Sequence, residues 1–142
     1  MAASHSLTAE QIEHLTQIAV EARENAYPPF SGFKVGAALL ATEQRIFPGV
    51  NVENSSYGLT ICAERTAACS AVAAGVKKGE VIAVAVAAEG GATPCGACRQ
   101  FLYEFGDDIA IFVVDTEGNA PLRELSIASL LPEAFRFEGP GK

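Results

Sequence analysis

Positive charge is scarce in this sequence: ten Lys and Arg stand against seventeen Asp and Glu, a formal net charge of −7 over 142 residues. That balance argues against a surface that tracks phosphates, and so against nucleic acid as the main partner. Long apolar runs are missing as well. None approaches the roughly 18 residues that a membrane span needs, so no membrane partner is expected. Met1 to Thr8 has neither the basic n-region nor the apolar stretch of a secretory signal, which points to a cytoplasmic chain. Histidine occurs only as His5, in the N-terminal tail, and His14, on a predicted helix. A lone surface histidine is the simpler reading of each. No internal repeat, linker or low-complexity block interrupts the chain.

Hydrophobic residues make up 49% of the chain and charged residues 19%, enough to build one packed domain over residues 1–142. Thr8-Ala9-Glu10-Gln11 fits a capping box, and Ile12, Leu15, Ile18, Ala19 and Ala22 follow at helical spacing. The spacing predicts a helix from about Ala9 to Asn25, broken by Tyr27-Pro28-Pro29-Phe30-Ser31-Gly32. Val35–Ala41 and Arg45–Val50 read as a hairpin, Cys62–Ala74 as an alanine-rich helix closed by Gly75, and Val81–Ala88 as a strand buried on both faces. Gly96–Phe105 reads as a further helix, Ile109–Val114 as another buried strand, and Ser126–Leu131 as a last short helix. The order α-β-β-α-β-α-β-α implies a mixed sheet covered by helices on both faces, with parallel pairing expected after Val81.

Four cysteines in a chain of this kind suggest metal or thiol chemistry before disulfides. Cys62 opens one predicted helix as Cys62-Ala63-Glu64, and Pro94-Cys95-Gly96-Ala97-Cys98 opens the next. Residues three apart in a helical turn share a face, so Cys95 and Cys98 are able to grip one ion. A third thiolate from the other helix leaves a fourth position open, the mark of a catalytic zinc site. Cys69 stands seven residues beyond Cys62, about 10 Å along the same helix at ~1.5 Å per residue. That is too far to join a site whose zinc–sulfur bonds are ~2.3 Å, and Cys69 is read as a core residue. A lone C-x-x-C is weak evidence and also fits a redox pair. The two cysteine motifs together, each opening a helix, are stronger.

Three His/Cys ligands, a non-ligand Glu beside the first and a P-C-x-x-C segment form the pattern of the zinc deaminases. Here cysteine takes the place of the histidine in their H-x-E. Asn51-Val52-Glu53-Asn54-Ser55-Ser56-Tyr57-Gly58, Thr60-Ile61-Cys62-Ala63-Glu64-Arg65-Thr66-Ala67, Pro94-Cys95-Gly96-Ala97-Cys98-Arg99-Gln100, and Phe33-Lys34-Val35-Gly36-Ala37-Ala38 then carry a specific likeness. Together with Leu130-Leu131-Pro132 and Phe135, they make the chain resemble the short, homotetrameric cytidine deaminases from Tyr27 to Phe135. Phe30 departs from the tyrosine more usual there.

The resemblance implies a three-layer α/β/α fold with a mixed, roughly five-stranded sheet, one Zn²⁺ per subunit, and active sites shared within a homotetramer. It implies that Cys62, Cys95 and Cys98 bind the metal and that Glu64 shuttles protons. Asn51 and Glu53 would hold the ribose hydroxyls, Phe33 would stack on the pyrimidine, and the Ala63 backbone would meet the polar edge of the base. Tyr57 and Phe135 would line a site shared between subunits. The implied reaction is conversion of cytidine and 2′-deoxycytidine to uridine and 2′-deoxyuridine with release of ammonia, a step of pyrimidine salvage. The ordinary readings are a loop carboxylate for Glu53 and packing residues for Phe33, Tyr57 and Phe135.

The residues suit that chemistry. A carboxylate next but one to a ligand is placed to accept a proton and donate it again. Three thiolates around Zn²⁺ carry a net negative charge, which opposes making a nucleophile from water. Two helix N-termini, with Arg65 and Arg99, offer compensating positive charge, although either arginine also reads as a solvated surface residue. Glu53 would repel a phosphate, favouring a small-molecule nucleoside over a nucleotide. The rivals are deamination of free cytosine, a nucleotide or a modified nucleoside, and a non-catalytic zinc-binding or thiol-redox module.

Overall fold

The computed structural model describes residues 7–139; His5 lies outside them. Helix α1, Ala9–Ala22, begins with the expected capping box: Gln11 N–H donates to Thr8 Oγ1 at 3.0 Å and Thr8 N–H to Gln11 Oε1 at 2.8 Å. One turn of tighter helix, Arg23–Asn25, follows it. The hairpin is β1, Gly36–Ala41, and β2, Arg45–Val50, paired antiparallel from Gly36↔Val50 to Ala41↔Arg45. Then come α2, Ala63–Ala73; β3, Val81–Ala88; α3, Gly96–Tyr103; β4, Ala110–Asp115; β5, Arg123–Ser126; and α4, Ile127–Leu130.

The five strands form one mixed sheet in the order β2-β1-β3-β4-β5. Strand β3 joins the hairpin through β1 and runs antiparallel to it, while β3 and β4 are parallel, as the intervening helix requires. The residue pattern misses β5, which pairs antiparallel with β4, so pairing after Val81 is parallel only in part. The five-stranded sheet implied by the resemblance is borne out.

Alternation along the strands builds two unlike faces. Ala38, Leu40, Ala83, Ala85, Ala87, Ala110 and Phe112 face Leu15 and Ala19 of α1. Leu39, Val84, Val86, Ile111 and Val113 pack under Ala67 and Ala71 of α2, Leu102 of α3 and Ile127 of α4. Helices α2 and α3 therefore lie on the same face. Both start where β2 and β3 end, so their N-termini converge at one edge of the core.

Sequence spacing and structure disagree on Cys69. Ala67, Ala68 and Ala71 occupy the inward face of α2, which turns Cys69 outward, and it is exposed.

Candidate active site

Cys62 and Cys95 are the N-cap residues of α2 and α3, and Cys98 sits in the first turn of α3. Convergence of the two helix starts brings the three Sγ atoms within 4.8 Å of one another, with Cys62 and Cys95 at 3.8 Å. Zinc–sulfur bonds of ~2.3 Å in a tetrahedron put sulfurs about 3.8 Å apart, so donor type and spacing fit one zinc ion with a fourth position to spare. Cys69 and His14 are not part of this cluster, and His14 is exposed on α1.

Placing the sulfurs at the starts of α2 and α3, where N–H groups lack intrahelical acceptors, favours negative charge on them. Arg65 Nη2 donates to Cys62 Sγ at 3.5 Å, and its Nε is buried without a hydrogen-bond partner among the described residues. The neighbouring Cys98 thiol and then Arg65 bring the Cys62 pKa down to about 5, against the opposing effect of burial. The neighbouring Cys62 and burial hold Cys98 up, and the bond to Cys62 raises Arg65. Arg99 sits differently from the charge-compensating position expected of it. Its Nε donates to Pro94 O at 2.7 Å, Nη1 to Leu130 O at 3.0 Å and Nη2 to Thr93 Oγ1 at 3.3 Å. With its donors on these oxygens, Arg99 braces the Pro94–Cys95 turn against the end of α4.

Glu64, in the first turn of α2, is only 4% exposed. Burial raises its carboxyl above the ordinary value, and the Cys62 charge adds to the rise. It lines a cavity of about 280 Å³ with Cys62, Ala63, Cys95, Phe33, Asn51 and Glu53. A larger cavity of about 470 Å³ between α1 and β2 offers one carboxylate, Glu21, and none of the sulfurs, so the reactive groups lie in the smaller one.

Asn51 is buried, and its amide is already engaged: Oδ1 accepts from Val35 N–H at 3.0 Å and Nδ2 donates to Phe33 O at 2.8 Å. It thereby fixes the segment ahead of β1 that presents Phe33. Glu53 is half-buried at the cavity rim. Its Oε1 accepts from the N–H groups of Phe30, at 2.8 Å, and Ser31, at 3.1 Å, while Oε2 accepts from the Ser31 hydroxyl. These bonds, the hydroxyl foremost, hold its pKa below the usual 4.5. Sequence reasoning missed Ser31, although a hydroxyl next to a turn glycine beside an aromatic was visible.

Tyr57 is 73% exposed and meets Phe30 edge-on, ring centroids 5.5 Å apart, over a second hollow that also includes Glu53 and Ser31. Phe135 is 70% exposed and does not line the cavity; its carbonyl accepts from Gln100 Nε2 at 2.8 Å, pinning the segment to α3 while the ring stays uncovered.

Comparison with known proteins agrees with this geometry. Residues 9–114 match the family described as the cytidine and deoxycytidylate deaminase zinc-binding region. The chain is 44% identical over 128 residues to a cytidine deaminase of Sporosarcina psychrophila, covering 89% of this chain and 93% of that one. It is 47% identical over 130 residues to a probable cytidine deaminase of Dictyostelium discoideum, covering 91% and 86%. The crystal structure of a cytidine deaminase from Burkholderia pseudomallei superposes with a TM-score of 0.84 at 47% identity, covering 91% of this chain and 100% of that one.

Proposed function

The chain belongs to the cytidine and deoxycytidylate deaminase family, and on that premise we propose how its residues divide the hydrolysis of the amino group of cytidine, and of 2′-deoxycytidine. Cys62, Cys95 and Cys98 hold zinc, which when bound makes water nucleophilic at neutral pH. At C4 of the base a C–O bond forms and the C–N bond breaks, so two protons must travel from water to the ring N3 and to the departing nitrogen. Glu64 carries both, accepting from water and delivering first to N3 and then to the nitrogen that leaves as ammonia. A carboxyl raised by burial suits that work, because it gives up and regains a proton closer to neutrality than an exposed one.

Phe33, on the cavity wall, stacks on the pyrimidine, and the first-turn backbone at Ala63 meets its polar edge. Asn51 and Glu53 take the ribose hydroxyls, Glu53 exchanging its Ser31 contact for the sugar. Arg65 offsets the sulfur charge. Tyr57 and Phe135 serve a site completed by a neighbouring subunit in a homotetramer, which accounts for two large rings left bare on one chain. The chain acts as one catalytic domain in the cytoplasm; among the described residues, no helix is long and apolar enough to cross a membrane.

The observation that carries this reading is the buried Glu64 carboxyl in a cavity walled by Cys62 and Cys95. Glu64→Gln keeps size and shape but removes the proton carrier. Zinc should stay bound while cytidine turnover falls at least ~10²-fold. Near-normal turnover in the zinc-replete variant would end the assignment, and loss of zinc would make Glu64 a support of the metal.

A further inference from the structure

We propose that Thr66 is a positioning residue, whose single hydroxyl sets the ribose-holding segment at a fixed distance from the reaction centre. The inference rests on the roles assigned above to Asn51, Glu53 and Glu64.

Threonine is a poor choice for the fourth position of a helix. Its hydroxyl lies 2.9 Å from Ala63 O, one turn back, a contact that tends to weaken helices slightly. What the hydroxyl does besides is join α2 to β2. Thr66 Oγ1 accepts from Val50 N–H at 2.9 Å, and Val50 O lies within its reach at 2.9 Å. Strand β2 is at the edge of the sheet, so the last residue of that strand finds in one side chain both a donor and an acceptor.

Gly49 makes the approach possible. A Cβ there would fall 2.6 Å from Thr66 Oγ1 and 2.5 Å from Ala67 N, and closer still to Ala63 O, so only glycine lets the strand lie this near the helix. From that contact the chain runs directly into the substrate-holding residues. Asn51 follows Val50 and bonds the backbone at Phe33 and Val35. On the other side, Thr66 N–H donates to Cys62 O at 3.1 Å, in the turn that carries Ala63 and Glu64. One hydroxyl thus stands between the groups that hold sugar and ring and the groups that react at C4. The backbone bridge between Val52 and Ile61 holds the far side of the same segment, so removing the hydroxyl loosens the spacing without releasing the loop.

Binding energy from the ribose helps the reacting centre only if the two are rigidly coupled, and a misplacement near 1 Å costs on the order of 10²-fold. Thr66→Val removes the hydroxyl at nearly constant shape, Thr66→Ala removes it in a second way should valine impair folding, and Thr66→Ser restores it. Each is assayed for zinc content and for kcat/KM on cytidine and on 2′,3′-dideoxycytidine, which lacks the 2′- and 3′-hydroxyls. The wild type should prefer cytidine. Valine and alanine should keep zinc, lose roughly 10- to 100-fold on cytidine and much less on the dideoxy substrate, while serine restores the preference. Parallel losses on both substrates, or no rescue by serine, would overturn the positioning role. A wild type indifferent to the ribose hydroxyls would overturn the ribose roles of Asn51 and Glu53, and this proposal with them.

Discussion

The floor and the rim of the active site are built by different rules. Cys62, Ala63, Glu64 and Cys98 belong to the first turns of two helices packed on one sheet face, and Glu64 and Cys98 are buried there by a single chain. Around it, Phe33 on the cavity wall, Phe30 and Tyr57 at the neighbouring hollow, and Phe135 outside the cavity all stand exposed, Tyr57 and Phe135 by more than two thirds. The floor is ordered by main-chain geometry and needs nothing else to be in place. The rim has aromatic rings with too little protein around them to exclude water. Chemistry that needs fixed proton and metal positions thus sits where one fold guarantees them, and the proposed sharing of sites would leave enclosure of the substrate to association.

The largest expected break in this contrast is at the floor. Cys95→Ala should lose zinc and all measurable turnover, because two remaining sulfurs do not hold the ion as three do. Retention of a full zinc complement, measured by metal analysis, would remove Cys95 from the site. At the rim, Ser31→Ala should act through Glu53 and on KM. The hydroxyl is the leading cause of the depressed Glu53 pKa, so the carboxylate stays ionised below the usual 4.5 in the wild type. Wild-type KM for cytidine should therefore be flat as pH falls from 7 to about 5. Without the hydroxyl the Glu53 pKa rises toward 4.5, and KM should begin to climb at a higher pH than in the wild type. Superimposable KM–pH profiles would break the link between Ser31 and Glu53. The smallest effect belongs to Cys69→Ala. An exposed helix position away from the cluster should leave zinc content unchanged and shift stability by no more than about 0.5 kcal/mol. Zinc loss equal to that of Cys95→Ala would rewrite the ligand set.

How much of this was legible in the sequence follows the same division. The floor was readable because local signals agree: the cysteines open helices, and Cys62-Ala63-Glu64 fixes a carboxylate beside a ligand whatever the tertiary fold. Strand β3 was readable residue for residue, since Val81–Ala88 is an unbroken apolar run. Strand β5 was not, because Arg-Glu-Leu-Ser has little apolar content and becomes a strand only by pairing with β4. The outward turn of Cys69 and the use of Arg99 as a brace depend on which helix face meets the sheet and on where α4 ends, and neither is a local property. Gly49 did carry a signal that went unread: a glycine inside a strand marks a close approach of another backbone, here the first turn of α2.

The proposal that the floor is complete in one chain while a neighbour's Phe135 completes the rim is tested most directly by mixing two crippled subunits. A Glu64→Gln chain keeps its Phe135 and lacks the proton carrier, and a Phe135→Ala chain keeps Glu64 and lacks the ring. Zinc content, oligomer mass and cytidine turnover would be measured on each alone and after co-refolding. Sharing predicts mixed oligomers with turnover clearly above the sum of the two parents, as intact Glu64 sites receive Phe135 from their neighbours. Strictly additive turnover in demonstrated mixed oligomers, or a fully active monomer, would contradict it.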